Sequence, residues 1–527
     1  MTRRVKERSL DASGGRFAIA TPHSEATFAG VAGVDAGGNA VDASLAAAVT
    51  LAVVYPHMCG VGGDLLALVH EPDGHVVAVN ASGAAPRALD VETLARDHDT
   101  MPERGPATVT VPGVVSGWWE LASRWSSLGW APAFERAITL ARHGVPVAPD
   151  LAEANRRLAG TDVHAALADV FAPGGRPLEE GDLLVQPALA DTLAAIRDAG
   201  PSVVYGGEVG DAIARHLASM GWPMRREDLA RHRAEIGHPL SRRYRDLEVV
   251  VVPPNSQGFV LLESLAAVER LEIDPDPLGP DCGALAEVFR LGARDRDRYN
   301  ADPRFASVPI TTLLGPDHVD RIAEAARSGI EGASPRRRDD TVALVAADDS
   351  GLGVVLIQSL FDAFGSGILE PETGIVLHSR GSAFVLDPSH PNAIAGGKRP
   401  AHTLTPVVAR RHGRLAALTG TMGGGGQPQI DAMTLIRAFD LDMDPASAVA
   451  APRWLVGGMD LGRQERAVVA EASVPIDTVD HLTRAGFAVE RTTRPHDLGH
   501  AHLLLAGPDG RLAAASDPRA DGGSAAR

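Results

Sequence analysis

The chain has 527 residues, 45% of them hydrophobic, with 50 Lys and Arg against 67 Asp and Glu for a formal charge of −17. That length exceeds one compact core and calls for several structural units or one large layered domain. The acidic balance repels phosphate backbones and anionic lipid, so nucleic acid is excluded as the expected partner, and two cysteines, Cys59 and Cys282, cannot form a disulfide framework.

In chain order, the charged start MTRRVKERSLDASGG lacks an apolar h-region and leads into a short strand, RFAIA. HSEATFAGVAGVDAGGNAVDASLAAAVTLAVVYP (23–56) has helical spacing on both sides of DAGGN, which predicts two helices joined by a Gly-Gly-Asn turn. The longest apolar run within it, 43–55, is too short to span a bilayer; no membrane partner and a cytoplasmic location are expected. GVGGDLLALVHEPDGHVVAVN predicts a hairpin around Pro-Asp-Gly-His, with Asp64 as a turn carboxylate in preference to one that lines the pocket.

From about 113 to 240 the periodicity is mostly helical, and Trp118 and Trp119 fall on it as core residues. RDLEVVVVPP is a strand, FVLLESLAAVERL a helix, 270–284 a loop, and ALAEVFRLGARDRDRYN a helix. Beyond 340 the character changes to strands (TVALVAAD, GLGVVLIQS, GIVLH, TPVVARR, RLAALTG, HLLLAG) with helices near 430–441 and 476–486. Strands and helices in separate blocks point to a layered α+β or αββα arrangement, not a doubly wound parallel sheet.

RRRDDTVALVAADD (336–349) carries the first chemical signal. A β-branched residue is ordinary at the first position of a strand, and Thr341 fits that description. An N-terminal threonine would also combine a hydroxyl nucleophile with an α-amine of reference pKa about 7.7–8.0 as its base. That amine exists only if the bond between Asp340 and Thr341 is broken. A second signal, TGTMGGGG (419–426), runs into QPQ and lacks the Gly-Lys-Ser/Thr of a phosphate loop. Its glycines suit either a flexible turn or backbone N–H groups converging on an oxyanion. HDLGHAH (496–502) clusters His496, Asp497, His500 and His502; with no outlying acidic or cysteine partner evident, it is expected to be a polar loop, and no metal or other cofactor is expected.

Nine blocks in order resemble the γ-glutamyltransferase (γ-glutamyltranspeptidase) family of N-terminal-nucleophile hydrolases: AGGNAVDASLAAAV (36–49), GVGGDLLALV (60–69), VPGVVSGWW (111–119), AITLARHGVPV (137–147), EDLARHRAEIGHPLSRRYRDLEVVVVPPNSQG (227–258), DTVALVAADDSGLGVVLIQSLFDAFGSGI (340–368), KRPAHTLTP (398–406), TGTMGGGG and ASDPR (515–519). The resemblance implies a four-layer αββα sandwich built jointly by a large subunit, 1–340, and a small subunit, 341–527, cut from one precursor; it leaves open whether that unit pairs into a homodimer. By position it places the nucleophile on Thr341, a hydroxyl that assists self-cleavage on Ser359, and the oxyanion hole on Gly423 and Gly424.

Substrate anchors depart from the pattern. Where γ-glutamyl-cleaving members hold the α-carboxylate with Arg, this chain has Ser82; where they hold the α-amine, it has Phe361 and Ala383; paired serines are replaced by His402 and Thr403. Arg380 in HSRGSAF is either a surface residue or a clamp for a carboxylate. Losing the acidic anchor would strand a substrate ammonium. The expected substrate is therefore a small amide with a carboxylate and no α-ammonium, as in the oxamate amidohydrolase and glutaryl-type acylase branches. A conventional glutathione hydrolase and an uncut, non-catalytic binding homologue are the alternatives.

Overall fold

In the computed structural model, residues 11–328, 340–459 and 465–527 are described; Arg336–Asp339 of the charged run lie outside them. Two seven-stranded antiparallel sheets dominate. One is ordered Gly523–Ala526, Phe17–Thr21, Asp340–Asp348, Gly353–Phe361, Asp64–His70, Val76–Asn80, Glu235–Gly237. The other is ordered Asp11–Gly15, Leu512–Ser516, His500–Ala506, Arg414–Met422, Val407–Arg411, Leu247–Val251, Leu240–Tyr244. Each sheet takes strands from both sides of residue 340.

The strand after Thr341 shows why the layers form. Val342, Leu344 and Ala346 enter a core shared with helices, whereas Ala343, Val345 and Ala347 meet Val408, Leu418 and Leu504 of the opposite sheet. A strand covered on both faces needs an unbroken apolar run, which VALVAA supplies. Outside the first sheet lies Ala40–Val54, a fifteen-residue helix buried at every position, as its all-round apolar sequence demands. Asn39 starts it: its side chain accepts from the N–H groups of Val41 and Asp42, and Asp42 accepts from Asn39 N–H at 2.9 Å. Gly258–Leu271, Cys282–Tyr299 and Gln427–Phe439 cover the second sheet. The result is the αββα sandwich.

Both helices around the Gly-Gly-Asn turn and the 64–80 hairpin stand where the sequence put them. The expected loop 270–284 ends slightly early, because the next helix begins at Cys282. A small sheet of Trp454–Val456, Ala467–Glu471 and Ala488–Thr492 was not foreseen; strands of three to five residues are too short to show a period. Cys59 and Cys282 are buried free thiols. Among the described residues no helix is long and apolar enough to cross a membrane.

Candidate active site

Thr341 sits where the ladder between Asp340–Asp348 and Gly353–Phe361 slips: Asp340 pairs with Phe361, but Val342 pairs with Gln358. The bulge turns Thr341 toward its neighbour strand, and its Oγ1 lies 3.0 Å from Ser359 Oγ. Both residues are buried. Ser359 Oγ also accepts the Phe361 N–H at 2.8 Å, and Phe361 holds φ of 80°, a conformation a bulky residue adopts only when its surroundings compel it. Gly63 is required here, since a Cβ would come within 2.4 Å of the Ser359 carbonyl oxygen.

The glycine loop reaches the same end of the sandwich. Gly353 packs against Leu415 and Leu418, and Gly420 against Ala343, Val355 and Ile357, so the strand Arg414–Met422 advances toward Thr341 and Ser359 before Gly423 and Gly424. Gly423 and Gly424 have φ of 155° and 51° and lead into the helix Gln427–Phe439. Gln257, which the sequence reading did not single out, ties this loop down: its Nε2 donates to Thr403 O at 2.7 Å and Gly424 O at 3.0 Å.

Arg380 is buried, not a surface residue. Its guanidinium carbon stands 3.5 Å from the centre of the Phe361 ring, and Nη1 is 3.3 Å from Thr403 Oγ1 and from Ala401 O. Contacts thus run without a break from Thr341 through Ser359, Phe361, Arg380, Thr403 and Gln257 to the glycine loop. A cavity of about 840 Å³ opens beside Ala383, Ala401, His402 and Thr403; Thr341 is not on its lining.

Asp64 corrects the expectation of a turn carboxylate. It opens a central strand, pairs in register with Ser359, and is 1% exposed. Its Oδ1 accepts the Gly83 N–H at 3.1 Å, while Oδ2 lies 3.3 Å from His402 Nε2 and 3.6 Å from His378 Nδ1. Burial pushes the Asp64 carboxyl up to about 8, with Arg380 pulling the other way. Burial also holds His402 well below the usual imidazole range and His378 at about 4. His402 Nδ1 accepts the Leu404 N–H, so Nε2 presents its proton to Asp64. His378 Nε2 lies 3.0 Å from the Thr110 carbonyl, which leaves the Nδ1 lone pair facing Asp64. A protonated Asp64 accepts from His402 and keeps a negative charge away from the His378 Nδ1 lone pair, which has no hydrogen-bond partner among the described residues.

Ser82 is drawn into the neighbouring scaffold: its hydroxyl donates to Asn80 Oδ1 at 2.7 Å and accepts from Asn255 Nδ2 at 3.2 Å, and the Asn255 carbonyl accepts the His402 N–H. Of the two tryptophans, Trp118 is buried and donates to Gln358, whereas Trp119 is half-exposed against Trp130. The 496–502 segment is not a loop throughout, since His500 and His502 are buried in a strand.

Residues 26–527 match the family described as gamma-glutamyltranspeptidase. An oxamate amidohydrolase proenzyme of Klebsiella pneumoniae is 34% identical over 518 residues, covering 96% of this chain and 97% of that protein. A glutathione hydrolase-like YwrD proenzyme of Bacillus subtilis is 34% identical over 514 residues, covering 96% and 97%. Among solved structures, a cephalosporin acylase from Bacillus halodurans superposes with a TM-score of 0.91 at 32% identity, over 100% of this chain and 98% of that one. The sandwich and these matches together establish that the chain belongs to the γ-glutamyltranspeptidase family of N-terminal-nucleophile hydrolases and is an amide hydrolase or acyltransferase of that family.

Proposed function

We propose that the protein is a self-cleaving amidohydrolase that acts on a small amide carrying a carboxylate, through an acyl-threonine intermediate. The observation that carries this reading is the buried 3.0 Å contact between Thr341 Oγ1 and Ser359 Oγ at the bulge, next to a buried arginine. Maturation begins with attack of Thr341 Oγ1 on the Asp340 carbonyl carbon. The C–N bond breaks, the nitrogen takes the proton, and the resulting ester is hydrolysed to an Asp340 carboxylate and a free Thr341 amine.

In turnover the Thr341 hydroxyl attacks the substrate amide and its own amine accepts the proton. The Gly423 and Gly424 N–H groups hold the tetrahedral oxyanion. The leaving amine departs with the proton, and water, deprotonated by the Thr341 amine, releases the acid. Arg380 grips the substrate carboxylate. Phe361 in place of an amide and Ala383 in place of an acidic anchor, and the oxamate amidohydrolase and cephalosporin acylase among the relatives, support a donor without an α-ammonium.

Intact-mass measurement paired with a panel of oxamate, glutaryl and γ-glutamyl amides tests this. Wild type should give two fragments of about 35 and 20 kDa, the shares of 55.0 kDa belonging to 340 and 187 (527 − 340) residues, and should prefer oxamate or glutaryl amides. Thr341→Ala should stay whole and inactive. Fragmentation of Thr341→Ala, or a preference for γ-glutamyl amides, would overturn the cleavage or the substrate half of the reading respectively.

A further inference from the structure

We propose that Asp150, His496 and His500 form a binding site for a divalent transition-metal ion of the zinc type, with His57 buried nearby. Asp150 opens the helix Pro149–Leu158, His496 lies in the turn Pro495–Leu498, and His500 begins the strand His500–Ala506. His496 Nδ1 is 2.9 Å from Asp150 Oδ1 and 3.0 Å from His500 Nε2, and the three donor atoms lie within 4.8 Å of one another. A tetrahedral site with bonds of about 2.0–2.1 Å has edges near 3.3 Å, so a small outward shift seats an ion among them.

Proton accounting favours the ion. His496 Nδ1 faces two atoms that both can accept, and one N–H serves both only as a weak three-centre bond. If His500 Nε2 carries the proton instead, the His496 lone pair points at a carboxylate oxygen. A cation accepts lone pairs from all three.

His57 is the independent sign of a ligand. It is fully buried, its ring centre lies 4.4 Å from that of Tyr55, and neither ring nitrogen has a hydrogen-bond partner among the described residues. A buried imidazole with both nitrogens unpartnered is rare unless something is bound there. Its electrostatic neighbours are Asp150, His500, His23 and His496, which places it against the cluster. The Tyr55 hydroxyl donates to Asp150 Oδ2, which fixes the carboxylate with Oδ1 toward the histidines, the kind of support that orients metal ligands. Two imidazoles and one carboxylate suit zinc-like ions over calcium or magnesium, with a fourth position open to water. His496 is 38% exposed on the wall of a shallow pocket with Glu471 and Asp521, which gives the ion a way in.

His57 and Asp150 precede residue 340 and His496 and His500 follow it. If the chain is cut as proposed above, the ion clips the two pieces together; the binding site itself does not depend on the cut.

Tag-free, chelator-treated full-length protein should bind one equivalent of Zn²⁺, gain thermal stability on binding, and give the absorption of tetrahedral Co²⁺ when Co²⁺ is supplied. His500→Ala and Asp150→Asn should each weaken Zn²⁺ binding at least about 100-fold. His496→Ala, at the partly exposed edge, supplies the same test should either buried variant fail to fold. Less than a tenth of an equivalent bound by wild type, or unchanged affinity in the folded variants, overturns the site.

Discussion

Thr341 and Arg380 are both about 1% exposed, yet their surroundings are opposites. Around Thr341 the partners are a neutral hydroxyl and backbone, set on two paired strands whose remaining buried side chains are apolar but for Gln358. Around Arg380 they are an aromatic face, a threonine, a carbonyl and the Asp64–His378–His402 cluster, carried largely by the short turn Arg380–Ala383 and the 398–405 segment. On the proposed reading, sheet geometry positions the nucleophile without charge, whereas recognition uses charge and spends protonation state to make it tolerable. The two ends should therefore respond differently to substitution.

The largest contrast is expected at Arg380. Arg380→Ala should leave cleavage into two fragments intact while lowering kcat/KM for carboxylate-bearing amides about 10²- to 10³-fold, the scale for removing one partner of a buried charge pair. Neutral amides of equal size should lose little. If maturation fails as well, recognition and nucleophile are not separable. Ser359→Ala tests the opposite end: a time course of fragment appearance should slow about 10- to 100-fold, the scale of one strong hydrogen bond, with substrate preference unchanged. An unaltered rate would remove Ser359 from maturation.

How far the sequence carried each end follows from the same contrast. The strands that carry Thr341 and Ser359 were legible because apolar runs are local, and the glycine loop because its conformational demands are; the roles of Thr341 and Ser359 rested on the resemblance to the family. Asp64 was not: GVGGD looks like a turn, and only the register that sets it opposite Ser359, with His378 and His402 closing over it, buries it. Arg380 looked equally fit for the surface because its cover comes from Phe361 and Thr403, distant in sequence. HDLGHAH lacked an acidic partner for the same reason, Asp150 being supplied by a helix far earlier in the chain.

The protonation cost gives a third test, smaller and dependent on pH. Asp64 stands at about 8 in the folded chain against an ordinary carboxylate when unfolded, so the folded state holds the extra proton and its stability falls as pH rises through that interval. His378, lowered to about 4, acts oppositely: below its ordinary range the unfolded state takes the proton, and stability rises with pH from about 4 to 6.5. His402, also held well below the imidazole range, adds to the His378 slope, so this cluster favours rising pH up to about 6.5, and within it the loss from Asp64 remains between about 6.5 and 8. Asp64→Asn, which mimics the protonated acid, should flatten melting temperature against pH in that window by an amount worth up to about 2 kcal/mol. Parallel curves for variant and wild type would mean that Asp64 is charged when folded.

Phe361 belongs to both ends, and the smallest prediction separates its two roles. Its N–H donates to Ser359 Oγ and its backbone sits at φ 80°, so the main chain serves the nucleophile; its ring lies beneath the Arg380 guanidinium, so the side chain serves recognition. Phe361→Leu keeps a Cβ, an apolar bulk and the N–H, but removes the π face. A buried cation–π contact of about 1–2 kcal/mol lets Arg380 shift when it is lost. KM for a carboxylate amide should rise about 5- to 30-fold with kcat and fragment formation held near wild type. A fall in kcat with KM unchanged would place the ring on the nucleophile side, because that pattern marks an interaction made only in the transition state.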